Sequence, residues 1–155
     1  LIIQKAVELG VYEIIPVITS RTIVKLDPKK EDKKVARWQM VCESAAKQSG
    51  RGMIPKVTSP VSFKKALELA GALEAGVMPY ERAQGMDAAR TLVKELHGKK
   101  SIGIFIGPEG GFDPAEVELA QAQGIRTMTL GKRILRTETA GLAVLSVFMF
   151  ELEED

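Results

Sequence analysis

Short apolar runs recur along this chain, each closed by a turn bearing glycine or proline and each followed or preceded by a segment with helical spacing. "LEAGVMP", "KSIGIFIG" and "IRTMTL" read as strands, while "DAARTLVKEL", "DPAEVELAQAQ" and "TETAGLAVLSVFMFELEE" read as helices between and after them. This alternation leaves few solutions. A strand that returns through a helix pairs in parallel with its predecessor, and the helices must cover both sheet faces. The expected class is α/β, with a mostly parallel sheet and helices on both faces.

Local punctuation sets the boundaries. Leu1, Ile2, Ala6, Val7 and Leu9 have helical spacing, stopped by Gly10. Because this pattern is already under way at Leu1, the chain is expected to be a fragment of a longer one. A strand is expected over 12–18, where Pro16 demands an edge or a bulge, and a short one over 22–25. Asp27 as cap, Pro28 in the first turn and Gly50 as stop bound a long amphipathic helix. Its Val35, Trp38, Val41, Cys42, Ala45 and Ala46 share one face.

Further on, Ser62 starts a helix that runs through Ala70, and strands are expected over 74–78, 102–106 and 125–130. A helix over 87–96 closes at Gly98, with His97 as a capping side chain. Asp113, Pro114 and Glu116 form a capping box with proline at its first helical position. The last helix begins at Thr137, capped by Thr137 or Thr139. From Ala140 to Phe150 it is apolar on all sides, so it is expected to be deeply buried.

With 155 residues the chain has room for one domain with a real core. A single cysteine, Cys42, excludes an internal disulfide and fits a reducing cytosol. With His97 as the one histidine, a Cys/His zinc site is excluded too. No apolar run is long enough to span a membrane, and the first residues do not read as a signal peptide. Charge is uneven. Residues 21–65 hold twelve Lys/Arg against four acids, although the whole chain is only +2. Such a segment points to a polyanionic partner, unless "KKEDKK" is only a solvated face of i,i+4 pairs.

Chemistry is expected where loops leave the carboxyl ends of strands. Three qualify: "MPYERAQG", "GPEGGF" and "LGKRILRTETAG". In the second, Gly107, Gly110 and Gly111 can take positive φ or admit a ligand close to the backbone. It has neither the Walker lysine nor the dinucleotide-binding spacing, and Glu109 would repel phosphate, which favours a neutral or cationic ligand. In the third loop, Arg136 could grip a phosphate or pair with Glu138 or Glu109 as scaffolding.

"IGPEGGF" followed by "LGKRILRTETA" closely resembles the RsmE-type members of the SPOUT methyltransferases. "IIQKAVELGV", "SRTIVKLD" and "CESAAKQSGR" are similar to the same family, so the likeness runs through nearly the whole chain. The resemblance implies a catalytic domain with a deep C-terminal trefoil knot, working as a homodimer in the cytoplasm. It implies methylation of N3 of a uridine in small-subunit (16S) ribosomal RNA, with S-adenosylmethionine as methyl donor. It also implies an upstream RNA-binding barrel, which is expected to lie outside this stretch.

By the same likeness, the cofactor would be held by Met78, Pro79 and Tyr80 from the first loop and by Gly107, Pro108, Glu109, Gly110 and Gly111 from the second. Leu130, Gly131, Ile134, Leu135 and Arg136 would complete the set. The histidine often found near Tyr80 in the family is absent here. Removing the N3 proton needs a base or an anion-stabilising group, for which Arg136 and Glu138 are the candidates, with Glu109 in competition. RNA contacts are expected from Arg21, Lys25, Lys47, Arg51 and Arg136, on a uridine that is single-stranded or flipped out. No metal is expected. The alternatives are a SPOUT-type ribose 2′-O-methyltransferase and a non-catalytic RNA-binding module that keeps the fold.

Overall fold

The computed structural model describes residues 1–22 and 27–155. Helix α1 (Ile2–Glu8) leads into β1 (Glu13–Ile14) and β2 (Val17–Ile18). The single strand expected over 12–18 is thus two short ones, with Pro16 between them. Pro16 has no N–H to give, but its carbonyl accepts from Val61 N–H at 2.9 Å. The short strand expected over 22–25 lies almost wholly outside the described residues.

Helix α2 (Pro28–Gln48) begins as its punctuation predicts: the Asp27 side chain accepts from Lys30 N–H at 3.0 Å. Strands β3 (Lys56–Val57) and β4 (Val61–Ser62) then pair in parallel with β1 and β2 respectively. The Ser62 hydroxyl caps α3 (Phe63–Gly71) at Lys65 N–H. The second half alternates as expected: β5 (Ala75–Pro79), α4 (Met86–Glu95), β6 (Ile102–Ile104), α5 (Pro114–Ala122), β7 (Arg126–Met128) and α6 (Thr137–Leu152). The Asp113–Glu116 capping box is present at α5.

Strands β5, β6 and β7 form one parallel sheet in the order β6-β5-β7. Its two faces are covered separately, as the period of two along a strand requires. Met78 joins Phe63, Leu67, Phe105, Phe112, Val117 and Ile125 under α3 and α5. Its neighbour Val77 joins Leu92, Val93, Met128, Val144 and Phe148 under α4 and α6. A third cluster of Val7, Cys42, Ala45, Ala46 and Val57 welds α1 and α2 to β3. At Gly76 a Cβ would lie 2.3 Å from the Cδ1 tip of Ile125, so that side chain would have to move.

Two expectations about side chains fail. Helix α6 is not buried all round: only Gly141, Val144 and Phe148 are buried, while Phe150 is 83% and Val147 40% exposed. One part of the helix meets the sheet and α4 and another packs beside α1, while Val147, Met149 and Phe150 are left without cover from the described residues. His97 does not cap α4; its Nε2 stands 3.8 Å from Glu151 near the end of α6.

Candidate active site

The chain passes from β5 to β6 on one side of the sheet and then to β7 on the other. The carboxyl end of β5 is therefore a switch point, where departing loops diverge and leave a crevice. The loops after β5, β6 and β7 meet there. They line a cleft of about 510 Å³ with residues 79–81, 106–112, 129–131 and 133–137, closed behind by Ala140. That volume falls within the small-molecule range of about 300–1,000 Å³.

The glycine loop curls over an aromatic floor. Phe112 is buried and packs against Phe63, ring centroids 5.9 Å apart. A Cβ on Gly107 would come within 3.2 Å of the Phe112 ring and 3.3 Å of its backbone nitrogen. Gly111 has φ of +73° and donates its N–H to Pro108 O at 2.8 Å, which closes a turn. Only Gly111 of the three glycines takes positive φ; Gly107 is required by close approach instead.

Neighbouring elements hold this loop from outside. Arg21 Nη1 donates to Gly110 O at 2.8 Å. The Ser20 backbone N–H and hydroxyl donate to the Glu116 carboxylate, which also accepts Asp113 N–H within the capping box. The third loop is shaped by Thr129, a buried residue whose hydroxyl accepts from Gly131 N–H and donates to Gly131 O, both at 3.1 Å. Gly131 itself sits at φ of +123°.

Helix α6 opens onto the cleft without a side-chain cap. Arg136 is the N-cap residue, and Thr137 does not cap: its hydroxyl donates to Gly107 O at 3.0 Å. That bond ties the last helix to the glycine loop across thirty residues of sequence. Arg136 is exposed, and neither it nor Glu109 or Glu138 joins an ion pair among the described residues. The Arg–Glu scaffold pair that the sequence allowed does not form, which leaves the guanidinium donors available to a ligand.

The cleft brings together Pro79, Tyr80, Gly107, Pro108, Glu109, Gly110, Gly111, Leu130, Gly131, Ile134, Leu135 and Arg136. Met78 is not with them. Its side chain is fully buried in the core beneath α3 and α5, packed with Phe112 under the glycine loop, and does not line the cleft. Glu138 does not line the cleft either; it lies one residue beyond Thr137, in the first turn of α6.

The expected RNA contacts scatter. Arg21 is spent in part on Gly110. The Arg51 guanidinium donates to Val7 O at 3.0 Å and Val11 O at 2.7 Å, fastening the end of α1. Lys47 is exposed in the last turn of α2, and Lys25 lies outside the described residues. Phe112, Thr129 and Thr137 were missed from sequence. A signal existed for Thr137 alone, as a hydroxyl at the entry to an apolar helix facing the glycine loop. Cys42 is buried, and that burial pushes its thiol up, away from thiolate. Among the described residues no cluster of His, Cys, Asp and Glu is placed to hold a metal.

Comparison with known proteins agrees with this geometry. The model of the RNA methyltransferase domain family matches residues 1–149. Ribosomal RNA small subunit methyltransferase E of Bacillus subtilis is 42% identical over 155 residues, covering 98% of this chain and 60% of that protein. The crystal structure of a Neisseria gonorrhoeae protein of that name, bound to S-adenosyl methionine, has a TM-score of 0.81 at 37% identity. It covers 97% of this chain and 60% of that one. A Legionella pneumophila methyltransferase in complex with the bound cofactor SAM has a TM-score of 0.85 at 32% identity, over 96% and 59% of the two chains. The chain thus spans about 60% of the length of these relatives. With the whole cleft inside the matched region, the chain belongs to the RNA methyltransferase domain family.

Proposed function

We propose that this chain is the catalytic domain of an S-adenosylmethionine-dependent methyltransferase acting on N3 of a uridine in small-subunit ribosomal RNA. The observation that carries the reading is the convergence of three strand-end loops on one cleft of about 510 Å³. The cleft fits the methyl donor. A Cβ at Gly107 would crowd the loop that must wrap the ligand. Backbone groups and apolar side chains dominate the wall, and the glycine loop carries a glutamate where a phosphate site would need a lysine. Two relatives with the same region hold this cofactor in their crystals.

Pro79, Tyr80, Leu130, Ile134 and Leu135 would enclose the adenosine, with the glycine loop against the remainder. The bound cofactor supplies a methyl group on an activated sulfonium. The chain's own residues then have three tasks. The loops exclude water and align the acceptor nitrogen in line with the methyl group. Arg136, free of carboxylate partners among the described residues, stabilises the negative charge that develops on the uracil ring as N3 loses its proton. Of the two glutamates considered, only Glu109 lines the cleft, so the role of proton acceptor passes from Glu138 to Glu109.

Two finer features belong to the same reading. The glycine loop, the third loop and α6 form a deep trefoil knot, a reading supported by the family. The protein is a homodimer, supported by the apolar rim of α1 and α6, where Leu1, Ile2, Val147 and Phe150 are all exposed. Phe150→Glu is expected to yield monomers by sedimentation velocity while leaving cofactor binding to each chain intact.

The test of the function is methyl transfer to 16S ribosomal RNA from labelled S-adenosylmethionine, followed by nuclease digestion and mass spectrometry. The expected product is 3-methyluridine. A 2′-O-methylated nucleotide would move the protein to the ribose-modifying branch, and RNA binding without transfer would make it a non-catalytic module.

A further inference from the structure

We infer that the N-terminal half of α2 is a docking face for the phosphate backbone of RNA, an inference that rests on the RNA-modifying function proposed above. Lys29, Lys30, Lys33, Lys34 and Arg37 are all exposed on this helix. At 3.6 residues per turn the five fall within an arc of about 140°. The two acids of the same stretch, Glu31 and Asp32, fall outside that arc. The buried Cys42 and Ala46 lie on the opposite side of the helix.

As a sequence, "KKEDKK" offers a ladder of opposite charges at i,i+3, Lys29–Asp32 and Glu31–Lys34. The ladder does not form. Among the described residues none of the five cations takes part in an ion pair. Lys34 instead stands over the Trp38 ring, 5.9 Å from its centroid.

Four lysines in the first two turns also sit at the positive end of the helix dipole, where cations cost stability. Asp27 at the cap and Glu31 in the first turn offset part of that cost. A face kept only for solubility carries both signs interspersed. A single-sign, unpaired face set against the dipole points instead to a polyanion.

The spacing fits a nucleic-acid strand. Lys29, Lys33 and Arg37 form one row and Lys30 and Lys34 another, each step of four residues rising about 6 Å. A row of this kind follows successive phosphates and positions the strand without reading its bases. An acidic protein is the other polyanion available. It would be met by aromatic or apolar anchors among the charges, and lysine is depleted at such interfaces. Within residues 29–37 no large apolar side chain is exposed among the five cations; the one exposed on this face of α2 among the described residues is Met40, about one turn past Arg37. The division of labour is then simple: α2 supplies sequence-independent affinity, and the cleft selects the uridine.

The test is the salt dependence of RNA affinity, read by fluorescence anisotropy with a labelled, mixed-sequence single-stranded RNA. Three proteins are compared: the wild type, the K29Q/K33Q/R37Q variant, and a K94Q/K99Q/K100Q control that removes equal charge near the end of α4. Every phosphate that the protein no longer neutralises lowers the slope of log affinity against log salt by about 0.7–0.9. The α2 variant is therefore expected to drop by about 2 in slope, with affinity down at least tenfold at low salt. The control should keep the wild-type slope, and cofactor affinity should be unchanged in all three, which certifies the fold. Equal slopes for the wild type and the α2 variant would overturn the inference and leave the methyltransferase function standing. No RNA binding by the wild type would overturn both.

Discussion

The cleft and the outer surface of this protein satisfy their chemical groups in opposite ways. At the cleft, polar groups are spent inside the chain: Thr137 on Gly107, Arg21 on Gly110, Glu116 on Ser20 and Asp113, Thr129 on Gly131. What remains for a ligand is a wall of backbone and apolar side chains, plus the guanidiniums of Arg133 and Arg136 and the carboxylates of Glu81 and Glu109, none of them ion-paired among the described residues. On the outside, α2 leaves five cations unpaired among the described residues, and α1 and α6 leave Leu1, Ile2, Val147 and Phe150 uncovered. A preorganised interior suits a small molecule held in one pose, while unsatisfied exterior groups suit macromolecules that bring their own partners. Substitutions should sort by region. Cleft variants should change cofactor handling and turnover, and surface variants should change RNA affinity or assembly.

The largest effect is expected where the two regions share one element. Phe148 is buried on α6 beside Val144, whereas Phe150, two residues on, stands in solvent. Phe148→Ala should cost about 3–5 kcal/mol in urea denaturation, while Phe150→Ala should stay within about 0.5 kcal/mol per dissociated chain. Equal costs would mean that the two faces of α6 do not differ as described.

Next in size is Arg136→Ala, predicted to lower kcat by about 10²–10³-fold, measured by initial rates at saturating RNA. Cofactor affinity should fall far less than kcat. A drop confined to RNA affinity would move Arg136 from the cleft's chemistry to the docking surface.

Gly107→Val tests the aromatic floor. Overpacking of about 1–3 kcal/mol against Phe112 should weaken cofactor binding by one to two orders of magnitude in calorimetry. RNA affinity should not change. The smallest of the four is Thr137→Val, which removes the tie between α6 and the glycine loop. A loss of about 1 kcal/mol is expected, recovered by Thr137→Ser. Failure of serine to rescue would assign the effect to packing of the methyl group.

Features that depend on a few adjacent residues were legible in the sequence. Asp27, Ser62 and the Asp113–Glu116 box cap the helices assigned to them, because a cap is a contact across three residues. The strands β5, β6 and β7, and the three loops that follow them, were legible from apolar runs and glycines. Features that depend on distant groups were not. Arg51 resembles any surface cation until Val7 and Val11 present their carbonyls, some forty residues away. Met78 sits one residue from the cleft in sequence, and its side chain is buried in the core with Phe63 and Phe112. The uniform apolarity of α6 shows how much surface needs cover, but not whether the cover comes from this chain or from another. The pairing implied by "KKEDKK" failed for a related reason: spacing allows an ion pair, and long solvated side chains have little to gain from forming one.

The central claim is that the three loops enclose a methyl donor. It is tested most directly by calorimetric titration of the purified protein with S-adenosylmethionine, repeated with ATP. One mole of S-adenosylmethionine bound per chain, with no heat from ATP, is the predicted result. Binding of ATP, with S-adenosylmethionine silent, would contradict it.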